Sequence, residues 1–384
     1  MKKIYLDYAA TTPVDKRVLK AMEPYFSEKF GNTMSLHSFG QEAKLALENS
    51  RAVLANLINA KPNEIIFTGS ATESNNTALK GIAFANKDKE NHIIISSIEH
   101  PCIVESAKWL EKQGFKVTKL PVDKYGLVNP EDVKKTITNK TILVSIIHAS
   151  NEIGTIQNIS EIGKICREKR VYFHTDASQS FGKIPIDVKK MNIDLLTASS
   201  QKIYGPKGAG FLYVREGIRP APLLHGGGQE NGLRSSTSNM PAIVGFAKAS
   251  EICKKEMVKE QKRQEKLRDY LIKNLLKIKS SYLNGHPKER LANNVNVRFD
   301  FIEGETLIMQ LDMAGIACST GSACSSATLE PSHVLLAIGL KPQEAHGSLR
   351  ISLGRQTTEK EINKLIEVLP KIIKKIRDIS PFKA

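Results

Sequence analysis

Residues 171–176 read VYFHTD and residues 194–202 read DLLTASSQK, and these two stretches decide the fold class. In each, an apolar run ends abruptly at polar residues. Five further runs with the same character lie at 64–68, 92–96, 116–120, 141–147 and 210–214. Near-continuous apolar runs are typical of strands buried on both faces, and helical patterns separate most of these runs. We therefore expect an α/β fold with a mostly parallel seven-stranded sheet that is covered by helices.

A second, smaller unit follows in the sequence. A long helical pattern runs from about 241 to 280, and its polar middle is typical of a helix that bridges two domains. A strand is expected at 293–299 and a final helix at 359–379. A chain of 384 residues has room for two or three units. The predicted division is a large domain at 13–255 and a smaller α+β domain formed by 1–12 and 256–384.

Composition excludes several classes of protein. Hydrophobic residues make up 41% and charged residues 25%, which is ordinary for a globular enzyme. The five cysteines lack the paired spacing of a disulfide scaffold or a zinc ribbon. Asp7 interrupts any apolar run at the start, and the longest apolar stretch, 141–149, is too short to span a membrane. We expect a cytoplasmic protein that does not enter membranes.

The net charge of +16 raises the question of a nucleic-acid partner. Residues 241–290 carry an excess of seven basic residues and residues 355–384 an excess of four. Acidic residues are interspersed there and aromatic residues are few, which argues against specific nucleic-acid binding. The remaining interpretations are a solvated helix face and a surface for an acidic protein partner.

Two candidate binding features follow predicted strands. Residues 69–74, GSATES, join a strand to a helix, so backbone N–H groups and the Thr72 hydroxyl could hold a phosphate. An ordinary helix N-cap is the alternative. Asp176 ends a buried strand, where a carboxylate requires a partner such as a protonated heterocyclic nitrogen or a capped loop. Gln179 adds a neutral hydrogen-bonding group.

Two candidate reactive groups complete the set. Lys202 follows a buried strand and precedes a turn, where a desolvated lysine can form a Schiff base, although most lysines are simply surface charges. Cys324 lies in residues 319–328, STGSACSSAT, which has no hydrophobic period and is expected to be a mobile loop. A cysteine on such a loop suits nucleophilic delivery. The other four cysteines lie in or beside apolar patterns and are expected to be structural: Cys102, Cys166, Cys253 and Cys318.

Together these features predict pyridoxal phosphate, which requires a lysine, an acid for its ring nitrogen and a phosphate cradle. Their order resembles that of the aspartate-aminotransferase-like enzymes, pyridoxal-phosphate fold type I. The sequence resembles, more specifically, the NifS/IscS-type cysteine desulfurases of the class V aminotransferase family. Seven stretches carry this resemblance in the family's order: 5–13, 70–76, 99–100, 151–154, 202–208, 225–230 and 321–324.

The resemblance implies roles around the cofactor. Lys202 would form the Schiff base and shuttle protons, and His100 would stack on the ring and assist proton transfer. Asp176 would pair with the ring nitrogen. Contacts to the ring oxygen and the substrate would come from Gln179 and Asn151. Residues implied around the phosphate are Ala71, Thr72, Ser199 and Gln201, the last standing where the family usually has histidine, and Thr237 from the other subunit of a homodimer.

The resemblance also implies the reaction. Arg350 would bind the carboxylate of L-cysteine, because a guanidinium fork suits that group. Cys324 would take the substrate sulfur as a persulfide, and L-alanine would be released. The persulfide would pass to an acidic acceptor protein such as an iron–sulfur cluster scaffold, where Cys324 would transiently ligate a cluster. The sequence leaves transfer-RNA thiolation and cofactor synthesis open as other uses of the sulfur. No resident metal is expected.

Three alternative functions compete with this interpretation. A selenocysteine lyase would cleave the analogous Cβ–selenium bond. A class V transaminase or lyase would use Lys202 and Asp176 without Cys324. A non-catalytic assembly partner would keep the fold alone, and the intact Lys202 argues against it.

Overall fold

The computed structural model describes residues 3–88, 90–320 and 330–380. Its strands are β1 (Ile4–Tyr5), β2 (Ile65–Thr68), β3 (His92–Ser96), β4 (Lys116–Leu120), β5 (Thr141–Ser145), β6 (Tyr172–Asp176), β7 (Leu195–Ser199), β8 (Gly210–Val214), β9 (Ser281–Leu283), β10 (Asn294–Phe299), β11 (Ile316–Ala317) and β12 (Ser348–Ser352). Its α-helices are α1 (Lys16–Met22), α2 (Pro24–Ser27), α3 (Ser38–Leu57), α4 (Ala71–Asn86), α5 (Pro101–Lys112), α6 (Pro130–Thr136), α7 (Ile159–Lys169), α8 (Met240–Leu275), α9 (Gly304–Met313), α10 (His333–Ala337), α11 (Pro342–His346) and α12 (Glu359–Ile379).

The predicted seven-stranded sheet is confirmed. Its strand order is β2-β8-β7-β6-β5-β3-β4. Strand β8 runs antiparallel to both of its neighbours, and the remaining pairs are parallel. Since β2 and β7 both oppose β8, strands β2 to β7 all run in the same direction. Their carboxyl ends therefore meet at one edge, where ligands bind in open α/β sheets.

Alternating side chains bury both faces of this sheet. Phe173 and Phe211 belong to one core with Phe246 of α8. In that core the ring centroids of Phe181, Phe211 and Phe246 lie 5.2, 5.7 and 5.8 Å apart in pairs. Ile93 and Leu212 belong to the core on the opposite face, beneath α4 and α5. This double burial explains why the strands are continuous apolar runs in the sequence.

A second hydrophobic core lies around two smaller sheets. Strands β12-β10-β9 form an antiparallel sheet, and β1 pairs in parallel with β11. Leu6, from the start of the chain, packs in this core with Leu271, Val297 and Leu365. The predicted strand near 293–299 and the final helix at 359–379 are confirmed.

Helix α8 joins the two cores, because Phe246 packs in the first and Leu271 in the second. Its polar middle crosses the space between them, as the sequence pattern predicts. Across residues 3–88, 90–320 and 330–380, no helix combines the length and the apolar character that crossing a bilayer requires.

Candidate functional site

The predicted site residues lie at the carboxyl ends of five strands of the large sheet, all of which run in the same direction. Strand β2 leads through Ser70 into α4, and β3 leads to His100 at the start of α5. Asn151 follows β5, and Asp176 is the last residue of β6. Strand β7 ends at Ser199 and continues into a short 3₁₀ helix, Ser200–Lys202. The strand directions thus bring together groups that are far apart in the sequence.

Asp176 is 4% exposed, and donors surround its carboxylate. Its Oδ1 accepts from the backbone N–H of Ser178 at 2.9 Å and from the Ser178 hydroxyl at 2.5 Å. Its Oδ2 accepts from Asn75 Nδ2 at 2.7 Å. These contacts offset part of the cost of burying the charge and fix the direction of the carboxylate.

Lys202 reaches across the chain to the amino-terminal segment. Its Nζ donates to the carbonyl oxygens of Ala9 at 2.7 Å and Ala10 at 2.6 Å. Gln179 Nε2 donates to the same Ala9 oxygen at 2.9 Å, so the lysine and the glutamine converge on one carbonyl. Lys183 Nζ in turn donates to Gln179 Oε1 at 3.2 Å, and burial lowers the pKa of Lys183 to about 7.

His100 caps the N-terminus of α5. Its Nδ1 accepts from the backbone N–H of Cys102 at 3.2 Å and lies 3.0 Å from Cys102 Sγ. Burial lowers the pKa of His100, nearby Lys202 and His333 add to this effect, and Asp176 opposes it. The ring is therefore neutral at physiological pH.

The sequence predicts a phosphate cradle at the start of α4. Ala71 and Thr72 lie in its first turn, where backbone N–H groups have no partner within the helix. Ser70 caps the helix by accepting from Glu73 N at 3.1 Å. The Glu73 carboxylate accepts from Gly69 N at 2.8 Å and from Arg234 Nε at 2.7 Å. This ion pair ties the segment that continues to Thr237 to the start of the helix.

Arg350 lies on β12, and its side chain is only 4% exposed. Its Nη2 donates to Asp7 Oδ1 at 2.9 Å, and its Nη1 contacts the Asn151 carbonyl at 3.4 Å. Its Nε has no hydrogen-bond partner among the described residues. The guanidinium is thus held in position and keeps a donor for an anionic ligand.

Three other predicted residues do not take part in these contacts. Gln201 accepts through Oε1 from the Thr11 hydroxyl at 3.2 Å, and its backbone carbonyl accepts from Thr12. Thr237 is exposed in the single chain. Cys324 lies outside the described residues. Ser319, which precedes its segment, pairs with the backbone of Arg350 in an isolated bridge.

Sequence reasoning missed several residues that build the site. Asn75 lies in residues 70–76, one of the seven stretches that carry the family resemblance. Nothing in the sequence around it indicates its contact with Asp176, which is 101 positions away. Cys102 was expected to be structural, yet it is partly exposed and contacts His100 and Asn75. Its position two residues after His100 was the only available indication. Cys166, Cys253 and Cys318 are buried, as predicted.

Metal binding has no visible basis in the described part of the chain, where no group of three or more His, Cys, Asp or Glu side chains converges. The groups that do converge are the amine of Lys202, the carboxylate of Asp176, the imidazole of His100 and the N-terminus of α4. This is a set for an anionic organic ligand with a basic ring.

Comparison with known proteins agrees with this set of groups. Residues 4–365 match the family model Aminotransferase class-V. Cysteine desulfurase IscS of Methanosarcina thermophila is 53% identical over 380 residues, which cover 99% of this chain and 94% of that protein. The solved structure named NIFS-LIKE PROTEIN superimposes with a TM-score of 0.92 at 40% identity, over 97% of this chain and 99% of its own.

A second solved structure, named SspA in complex with cysteine, has a TM-score of 0.81 at 40% identity and covers 91% of this chain and 98% of its own. The similarity therefore spans both hydrophobic cores and every strand of the large sheet. The chain belongs to the class V aminotransferase family, among the cysteine desulfurases of the NifS/IscS type.

Proposed function

We propose that this protein is a pyridoxal-phosphate-dependent cysteine desulfurase that converts L-cysteine to L-alanine and leaves the sulfur as a persulfide on Cys324. The observation that carries the proposal is the convergence of Lys202, Asp176 and His100 at the carboxyl edge of the sheet in a member of this family. The named relative from Methanosarcina thermophila is a cysteine desulfurase, and more than half of its aligned residues are identical.

The residues at this edge fit pyridoxal phosphate. The buried carboxylate of Asp176 offers a partner for a protonated ring nitrogen, and Lys202 offers an amine for covalent attachment. The N–H groups of Ala71 and Thr72 at the start of α4, with Ser199 and Gln201, supply donors for a phosphate. When bound, the cofactor supplies an electron sink that weakens bonds at the substrate's carbon atoms.

Gln179 and Asn151 contribute neutral hydrogen-bonding groups near the ring and the substrate in this proposal. Gln179 is anchored by Ala9 and Lys183, so its amide has a fixed orientation. Asn151 is anchored through its carbonyl, which faces Arg350. Fixed groups of this kind orient a ligand at low entropic cost.

Arg350 binds the substrate carboxylate. Its buried guanidinium is oriented by Asp7, and its Nε has no partner within residues 3–88, 90–320 and 330–380. An anion that reaches the guanidinium forms charge-assisted hydrogen bonds with it. It also gives the buried Nε–H a hydrogen-bond partner and so removes the cost of burying that group without one. This contact selects an amino acid over a simple amine.

Proton transfer falls to Lys202 and His100. Lys202 Nζ is held by two carbonyl oxygens, and the ring of His100 is neutral because burial lowers its pKa. The Cys324 thiolate attacks the substrate sulfur and forms a sulfur–sulfur bond. The Cβ–S bond breaks, its electron pair stays on the substrate carbon, and that carbon takes up a proton to give alanine.

A homodimer is part of the proposal. The single chain exposes apolar side chains between residues 19 and 45, a feature typical of association surfaces. They belong to Leu19, Phe26, Phe30, Met34, Leu36, Phe39 and Leu45. Thr237, exposed in the single chain, would contact the phosphate bound in the second subunit.

The domain division and the partner also remain proposals. Leu6 packs with residues 271–376, which supports a small domain of 1–12 and 256–384 beside a large domain of 13–255. The basic excess in residues 241–290 and 355–384 supports docking of an acidic sulfur acceptor, and an iron–sulfur cluster scaffold is the acceptor class we favour. A cytoplasmic location remains a prediction from the sequence.

The assay for this proposal measures alanine and sulfide released from L-cysteine by the purified holoenzyme with a thiol reductant. Equal amounts of both products are expected. Transfer of the amino group to a keto acid, without sulfide, would identify a transaminase instead. A strong preference for selenocysteine over cysteine would identify a selenocysteine lyase.

A further inference from the structure

A continuous chain of hydrogen bonds joins Asp176 to His100 through two residues without an assigned role. Asn75 Nδ2 lies 2.7 Å from Asp176 Oδ2 and 3.1 Å from Cys102 Sγ. Cys102 Sγ lies 3.0 Å from His100 Nδ1. Asn75 is fully buried, and Cys102 is partly exposed at the start of α5.

The direction of each hydrogen bond follows from the donors available. The Asn75 amide nitrogen carries two hydrogens, one for the Asp176 carboxylate and one for the Cys102 sulfur. Burial raises the pKa of Cys102 to about 12, with Asp176 adding to the effect, so the group is a thiol. Its S–H is then free to donate to His100 Nδ1. The backbone N–H of Cys102 donates to the same nitrogen at 3.2 Å.

We propose that Cys102 is a positioning residue that holds His100 as the neutral tautomer with its proton on Nε2, and that Asn75 couples this thiol to Asp176. Two donors that face Nδ1 leave the ring proton only on Nε2. A protonated ring would carry hydrogen on Nδ1 and would place it against both donors. The arrangement therefore favours the neutral ring and leaves Nε2–H as its hydrogen-bond donor.

The ionisation of His100 responds to groups on three other elements. Asp176 on β6 favours the charged ring, whereas Lys202, after β7, and His333 on α10 disfavour it. Burial also disfavours the charged ring, and each of these influences persists when the thiol alone is removed. Loss of one net hydrogen bond to the neutral form should raise the pKa of His100 by about 0.5 to 1 unit.

The test is nitrogen-15 NMR of the holoenzyme labelled in its histidines, with His100→Gln used to assign the signal of His100. The wild-type protein should show an unprotonated Nδ1 and a protonated Nε2. Cys102→Ser keeps a donor and should preserve both the tautomer and the pKa. Cys102→Ala should raise the pKa of His100 and move the acidic limb of the pH profile of kcat/KM by the same amount.

Cys166→Ala is the matched control, because Cys166 is buried in the sheet's core away from His100. It should leave the His100 signals unchanged. A proton on Nδ1 in the wild-type protein would overturn the proposal even if every variant failed to fold. An unchanged pKa in Cys102→Ala would also overturn it, as would an equal change in Cys102→Ser. The inference rests on the proposed function only for the use made of the histidine, and the NMR readout does not require desulfuration.

Discussion

Replacing Arg350 with lysine should weaken binding of the substrate carboxylate while leaving the cofactor in place. The buried guanidinium is fixed by Asp7 at 2.9 Å, and no side chain or carbonyl in the described part of the chain pairs with its Nε. Lysine retains the charge but loses the planar fork, which costs about one charge-assisted hydrogen bond. Such a bond contributes about 1.5–3 kcal/mol, so dissociation constants should rise roughly 10- to 100-fold.

The assay compares L-alanine with ethylamine, which lacks the carboxylate, by the change that each causes in the visible absorption of the holoenzyme. Arg350→Lys should weaken the binding of L-alanine and leave the binding of ethylamine unchanged. Arg298→Lys is the matched control, since Arg298 lies on the adjacent strand β10 and pairs instead with Asp300 and Glu344. Equal weakening of both ligands, or a change below twofold for alanine, would refute the assignment of Arg350.

Three further predictions address attachment, assembly and environment. Lys202→Ala should prevent covalent attachment of the cofactor, and borohydride reduction followed by peptide mapping should locate the adduct of the wild-type protein on Lys202; an adduct on another lysine would reject this role. Mixing Lys202→Ala and Thr237→Ala subunits should restore activity equivalent to about one site per dimer, and no restoration after confirmed subunit exchange would indicate a self-contained site. Burial lowers the pKa of His148 to about 4, below the value of about 6.5 in the unfolded chain. The free energy of unfolding should therefore fall as the pH drops from 6.5 to 4, by up to about 1.4 kcal/mol per pH unit for this residue. Denaturant unfolding of His148→Gln should show a free energy of unfolding that depends less on pH over this range.

A separate prediction concerns the basic excess of residues 241–290 and 355–384. If it steers an acidic acceptor, persulfide transfer should slow as salt rises, because the Debye length falls from about 10 Å at 0.1 M to about 3 Å at 1 M. Cysteine turnover with a small thiol reductant should change little. Equal transfer rates at both salt concentrations, measured by stopped flow with a stable acceptor, would leave these charges as a solvated helix face.

The large sheet could be predicted from the sequence because burial on both faces leaves a visible mark. Strand β6, for example, is an apolar run that ends abruptly at Asp176. Lys202 likewise follows a strand by three residues, so its place at the carboxyl edge was a consequence of the predicted fold. The positions of both chemical groups were thus available before their contacts were known.

The contacts that complete the site could not be predicted in the same way. Lys202 meets Ala9 across 193 positions, and Arg350 meets Asp7 across 343. Strands β1 and β11 that help to bring these segments together have only two residues each, too few for a periodic pattern. Cys102 lies among apolar residues at the start of α5, and this pattern is typical of a structural cysteine. The pattern therefore gave no indication of its contact with His100.

The most direct test of the central claim is mass spectrometry of the holoenzyme after reaction with L-cysteine in the absence of a reductant. We expect one added sulfur atom on the peptide that contains Cys324 and one equivalent of L-alanine per active site. Cys324→Ser should retain the cofactor and lose both the added sulfur and sulfide release. Sulfur added to another cysteine, or sulfide release by Cys324→Ser at the wild-type rate, would contradict the account.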